Sequence, residues 1–390
     1  MALSRRNFLK TAGLISLAAF APRLPFNLDL AAQSERNFVA EYLTAMETPY
    51  AAPLNIYMER VIGAQNISLL LYDINTGQLL AGLAPENPLP VASVFKAALP
   101  MWFVDTVDRE VWASVPVAYW NAAASSEVPE AFREAWRAHG AVLRDLYRAL
   151  VFSDNVTTGT TLAYIARAAG STDALIAFND WAAERVGMSQ ISGLSGWSEG
   201  VPADMTYTDE RFEERGTNIG GQLYTFDNMM TARDIGLFYM WMLTELDAEQ
   251  QTVCKDLLST IFNGRGANLE RLALGNEGVP YSKNGSLQTD AGYVVTDAGI
   301  ISLPDERNYL LVLLSLNAPT TIQPLFEELD ATLRGRYNEI LHNRHVNYVT
   351  PEELLANYRE QLAVAYPQVD LPNDAVKYGF ILPVGVKVYR

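Results

Sequence analysis

The hydrophobic pattern opens with an amphipathic stretch from about Asn37 to Val61, which predicts a helix. Ile67 to Tyr72 is a β-rich run, Asn75-Thr76-Gly77 is a turn signal, and Gln78 to Leu83 returns as a partner strand. From about Ser93 to Thr244 the apolar positions are mostly spaced as in helices. Strand character comes back at Val279–Leu287, Asp297–Leu303 and Tyr309–Leu316, with Pro304-Asp305-Glu306 as the turn between the last two. A helix from about Gln323 to Leu341 follows. This is an α+β order: both ends of the chain build one antiparallel sheet packed with helices, and the middle forms an all-helical lobe inserted in it. The sheet lobe is expected at about 37–92 and 279–341, the helical lobe at about 93–278. A crevice between two such lobes is a favoured place for a site.

The two termini read as additions to this body. Ser4-Arg5-Arg6-Asn7-Phe8-Leu9-Lys10 matches a twin-arginine export motif, and the apolar run Leu14 to Ala21 behind it is stopped by Pro22 and Arg23. That run falls well short of the ~20 residues that span a bilayer. Residues 1–32 are therefore expected to be a signal peptide, leaving no stable membrane span after processing. The protein is expected in the periplasm, the cell envelope or the extracellular medium. At the other end, 346–390 reads as a C-terminal extension. Thr350-Pro351-Glu352-Glu353 combines an N-cap threonine, a proline at the first helical position and a glutamate closing a capping box. Leu354 to Tyr366 continues that helix, and Tyr378 to Tyr389 reads as extended.

Composition narrows the function. With 49% hydrophobic and 19% charged residues, the 390-residue chain can bury a sizeable core. Twenty-nine lysines and arginines against 45 acidic residues give a net charge of −16, which argues against a nucleic-acid partner. The one cysteine, Cys254, cannot form an internal disulfide or a thiolate cluster. The three histidines, His139, His342 and His345, are too few and too unevenly placed for a histidine-rich zinc site. No metal and no cofactor are expected, and the protein is expected to be a monomer acting on a small-molecule or peptide substrate.

Three short motifs stand in order. Ser93-Val94-Phe95-Lys96 is S-x-x-K, entering an apolar helix after the first two strands. Ser153-Asp154-Asn155 is S-D-N in the helical middle, and Lys283-Asn284-Gly285 opens the third strand as an approximation to K-[ST]-G. Each alone is weak, whereas all three in sequence and context are specific. Together with the turn Asp73–Gly77 and the segment Asp297–Asp305, they resemble the class A β-lactamase family of penicillin-recognising serine hydrolases, over roughly Asn37 to Leu341.

A serine hydroxyl needs a base within hydrogen-bond reach. Three residues along a helix, Lys96 shares the face of Ser93, and burial at a helix N-terminus disfavours its ammonium form. The resemblance implies that Ser93 is the nucleophile and that the N–H groups of Ser93 and Ser286 form the oxyanion hole. It implies that Ser153 relays a proton to the leaving nitrogen and Asn155 holds the substrate amide. Lys283, with Asn284 and Gly285, would face the substrate carboxylate. Asn284 departs from the family's threonine or serine, an amide with a different reach. Pro100, a turn after Lys96, is expected to bend the helix.

Class A enzymes release the acyl group with a glutamate followed four places on by an asparagine, and Glu214-Arg215-Gly216-Thr217-Asn218 has that spacing. Glu214 is the expected water-activating base; Glu199, Glu210 and Glu213 are its rivals. Gly196-Trp197-Ser198-Glu199-Gly200 matches G-x-S-x-G, but Val201-Pro202 follows where a nucleophile elbow needs a helix, so it reads as a glycine-rich surface loop. The expected activity is opening of a β-lactam ring through an acyl-enzyme on Ser93, followed by hydrolysis. Two alternatives stand: a D,D-peptidase acting on peptidoglycan peptides, and a non-catalytic envelope module with the same fold.

Overall fold

The computed structural model describes residues 36–47, 67–212, 216–219, 222–260, 269, 273, 278–303 and 306–317. The chain divides into two compact units, Met1–Arg36 and Asn37–Arg390, and the architecture here is that of the second. The expected signal peptide, the continuation of the first helix to Val61, the helix from Gln323 and the C-terminal extension lie outside the described residues.

Helix α1 (Phe38–Glu47) precedes the hairpin of β1 (Ile67–Asp73) and β2 (Gln78–Leu83). The turn closes through Asp73, whose carboxylate accepts the N–H groups of Asn75 and Thr76 at 2.9 and 3.1 Å, while Gly77 takes φ +71°. A two-residue strand β3 (Leu89–Pro90) leads into a 3₁₀ turn at Val94–Ala97. Next come α2 (Ala98–Thr106), α3 (Arg109–Ala113), α4 (Arg133–Val151), α5 (Asn155–Ala168) and α6 (Ala174–Trp181). Short strands β4 (Gly193–Leu194), β5 (Gly216–Ile219), β6 (Gln222–Thr225) and β7 (Asn228–Met230) precede α7 (Ala232–Glu245) and α8 (Ala248–Leu258). The long strands β8 (Val279–Thr289), β9 (Gly292–Ser302) and β10 (Asn308–Leu316) complete the fold.

The α+β order holds. The main sheet runs β2-β1-β10-β9-β8, all neighbours antiparallel, and β10 from the end of the described chain pairs with β1 from its start, Ile67 opposite Ser315. All nine residues of β10 and six of seven in β1 are buried, the signature of central strands covered on both faces. Their continuous apolar runs, Leu69-Leu70-Leu71 and Leu310 to Leu314, leave no polar face to turn to water.

Helix α7 is apolar all round and correspondingly buried from Ile235 to Leu243. It packs on β10 and α1, where Tyr42 donates to the Arg233 carbonyl at 2.9 Å. Its Phe238 stacks on Trp181, which sits beside Phe178, and Trp102 from α2 meets Phe178 edge-on. The helical middle also carries a three-stranded sheet, β3-β7-β4, and the hairpin β5–β6. Strands of two to four residues are too short to show a period of two in the sequence. Among the described residues no helix is long and apolar enough to cross a membrane.

Candidate active site

The approach to Ser93 is strained. Ala92 has φ +45°, a region that a β-carbon disfavours, and the chain turns at once into the 3₁₀ segment Val94–Ala97. In a 3₁₀ turn residues i and i+3 come together, and the Lys96 N–H bonds back to the Ser93 carbonyl at 3.2 Å. Lys96 is fully buried. Regular α-helix starts only at Ala98, which leaves Pro100 in the first turn, where a missing N–H breaks no helical bond. The bend expected at Pro100 is thus replaced by a change of helix type before it.

The Val94 and Lys96 N–H groups are taken by the carbonyls of Val91 and Ser93, whereas the Ser93 N–H has no hydrogen-bond acceptor among the described residues. It faces β8: a β-carbon at Gly285 would lie 2.5 Å from the Ser93 nitrogen. Only glycine admits that approach. Because β8 is the sheet's edge strand, its outward amides are not used by the ladder, and Ser286 follows Gly285 there. This is the arrangement an oxyanion hole needs.

Ser153-Asp154-Asn155 caps a helix and also reaches Lys96. Asp154 is the N-cap of α5, accepting the Thr157 N–H at 3.0 Å, and this bond foremost, with Arg148, holds its carboxyl below the usual range. Ser153 takes φ +57°, which turns its carbonyl onto the Lys96 ammonium at 3.1 Å. Lys96 Nζ also donates to Asn155 Oδ1 at 2.7 Å, and Asn155 Nδ2 donates to Glu199 Oε1 at 2.8 Å. The single amide therefore accepts from the lysine and donates to the carboxylate. Burial, and then the positive charge of Lys283, pull the Lys96 ammonium down to about 7, against the opposing charges of Asp154 and Glu199. A lysine near neutrality can serve as a base.

Lys283 is almost wholly buried and donates to the Asn284 carbonyl at 2.6 Å. Asn284 alternates to the opposite face of β8 from Lys283 and Gly285. Ser93, Asn155 and Ser286 line an open cleft of about 630 Å³, while Lys96 backs it through its bond to Asn155.

Glu214 lies outside the described residues, as does Glu213, and Glu210 is exposed in a 3₁₀ turn. Asn218, the other half of the expected pair, is in β5 opposite Leu223. The backbone of Gly216–Ile219 is extended. Among the described residues the glutamate that meets Asn155 is Glu199, on the segment Gly196–Gly200 that resembled a nucleophile elbow. The segment forms no strand–serine–helix corner, and Ser198 is exposed. It instead lies against α5: Gly200 has φ +64°, and a β-carbon there would fall 1.9 Å from the Val156 carbonyl. Trp197, which the sequence reading passed over, donates its indole N–H to the Glu199 carbonyl at 2.8 Å. Its ring meets Phe95 edge-on at 5.7 Å and lies 5.4 Å from Lys96 Nζ. Among the described residues no three His, Cys, Asp or Glu side chains are grouped to hold a metal ion.

The model of the β-lactamase enzyme family matches residues 54–328, which contain every element of this site. The chain belongs to the β-lactamase enzyme family. No curated protein matches it. Solved structures to which this β-lactamase-family chain is similar include a β-lactamase from Streptomyces albus G, 17% identical with a TM-score of 0.45 over 67% of this chain and 88% of that one. PBP-A is 16% identical, with a TM-score of 0.42 over 73% and 88%. A class A β-lactamase from Clostridium kluyveri is 16% identical, with a TM-score of 0.42 over 67% and 87%.

Proposed function

We propose that this serine hydrolase of the β-lactamase family opens β-lactam rings through an acyl-enzyme on Ser93 and releases the product with water activated by Glu199. The observation that carries the reading is the hydrogen-bonded run Lys96–Asn155–Glu199 behind a cleft that Ser93 lines. Acylation uses the neutral Lys96 amine, which takes the Ser93 proton as Oγ attacks the carbonyl. The developing oxyanion is met by the Ser93 N–H and an amide of β8. Ser153 passes a proton to the departing ring nitrogen, with Lys283 beside it. Deacylation uses the Glu199 carboxylate, oriented by the Asn155 amide, to take a proton from the attacking water. The twin-arginine motif at Arg5-Arg6 supports export of the enzyme to the envelope or beyond.

The test is steady-state hydrolysis of a chromogenic cephalosporin alongside labelling by a fluorescent penicillin. Continuing turnover that Ser93→Ala abolishes is the expected result. Stoichiometric labelling without turnover would make the protein a penicillin-binding peptidase. No labelling at all would leave a binding module.

A further inference from the structure

The charges around the cleft are separated. Lys96 and Lys283, both buried, stand behind its reactive end. The opposite wall comes from the exit of the β5–β6 hairpin and the turn between β8 and β9. Tyr224 and Phe226 pack against Ala291, Val294 and Leu316 together with Ala92, which ties that wall to the sheet one residue from Ser93. Leu223 and Leu287 add apolar side chains that stay 63% and 49% exposed while lining the cleft. Asp227 and Asp290 are the only charged side chains lining it among the described residues, and both are exposed. Neither carboxylate has a hydrogen-bond donor or cation as partner among the described residues, although both share one cavity with the Ser93 nucleophile.

Given an acyl-serine enzyme at Ser93, on which this inference rests, we propose that the cleft selects substrates whose acyl arm is apolar along its length and ends in an ammonium group. The arm lies over Leu223, Phe226 and Leu287, and the ammonium meets Asp227 and Asp290 beside the faces of Tyr224 and Phe226. The pairing is charge-assisted and reinforced by the aromatic faces. An arm ending in a carboxylate meets two like charges there. The chain's net charge of −16 favours approach of the positively charged arm.

Three penicillins with one nucleus and one straight-chain acyl arm test this, the terminal carbon of the arm bearing an ammonium, a hydrogen or a carboxylate. The second-order rate of Ser93 acylation is measured for each by intact-protein mass spectrometry. The expected order is ammonium, then hydrogen, then carboxylate, with roughly tenfold or more between the extremes at low salt and a narrower spread at high salt. In the double variant Asp227→Asn, Asp290→Asn the ratio of the extremes falls toward one. Labelling of Ser93 with no charge order, or an order indifferent to salt and to both substitutions, overturns the ammonium assignment and leaves the acyl-serine reading standing. Absence of labelling by all three penicillins overturns both.

Discussion

Gly159 in α5 and Glu199 in the loop that crosses it meet main chain to main chain: a β-carbon at Gly159 would lie 2.0 Å from the Glu199 carbonyl oxygen. With Gly200 pressed equally close to Val156, two glycines, not a side-chain bond, set how near the Glu199 carboxylate comes to Asn155. Gly159→Ala is therefore expected to push the loop outward, at a cost of about 1–3 kcal/mol if α5 holds its place. Deacylation should slow at least tenfold and the melting temperature should fall. Unchanged turnover and melting would show that the contact is soft.

Glu199→Gln keeps the hydrogen bond from Asn155 and removes the base. Turnover is expected to drop by about 10²–10⁴, with acyl-enzyme accumulating as a stable mass increment on the protein. If Glu199→Gln turns over normally and Glu214→Gln traps the acyl group, the water-activating role passes to Glu214.

The Lys96 amine, lowered from 10.5 to about 7, gives acylation a definite pH sign. Below about 7 it is an ammonium and cannot take the Ser93 proton, so single-turnover acylation should rise as pH passes upward through that value. The same shift has a consequence for folding. Between about 7 and 10.5 the unfolded chain holds the proton that the folded chain has lost, so stability contributed by Lys96 rises with pH across that window. A flat acylation profile from pH 5.5 to 9 would remove Lys96 from the proton path.

Gly285 lies against the backbone amide of Ser93. Gly285→Ala places a methyl group where the Ser93 N–H points, and the expected loss in acylation is about 10²-fold or greater, since one oxyanion donor is displaced. Far-ultraviolet circular dichroism should remain that of the folded protein. Normal acylation in this variant would move the oxyanion hole elsewhere.

Much of this was legible in the chain before folding. The strands of the main sheet are long, apolar and bounded by turn residues, so β1, β2, β8 and β10 follow from local pattern alone. Ser93, Lys96, Ser153 and Asn155 lie within short motifs where spacing along a helix or at a cap carries the geometry. The choice of acid was different. Glu199 and Glu214 both sit in polar loop sequence, where no periodicity singles out the glutamate that meets Asn155. Trp197 gave no signal, because an isolated tryptophan has no periodicity.

The amino-acid order by itself determined the long strands and helices and set Ser93, Lys96 and Asn155 in their motifs, because those follow from periods and spacings of a few residues. Only the tertiary structure decided which glutamate meets Asn155, how Lys96 is drained of its charge and what lines the far wall of the cleft. Those depend on contacts between α5, the Gly196–Gly200 loop and β8, such as Asn155 with Glu199, 44 residues apart along the chain, where close packing rather than sequence neighbourhood sets position.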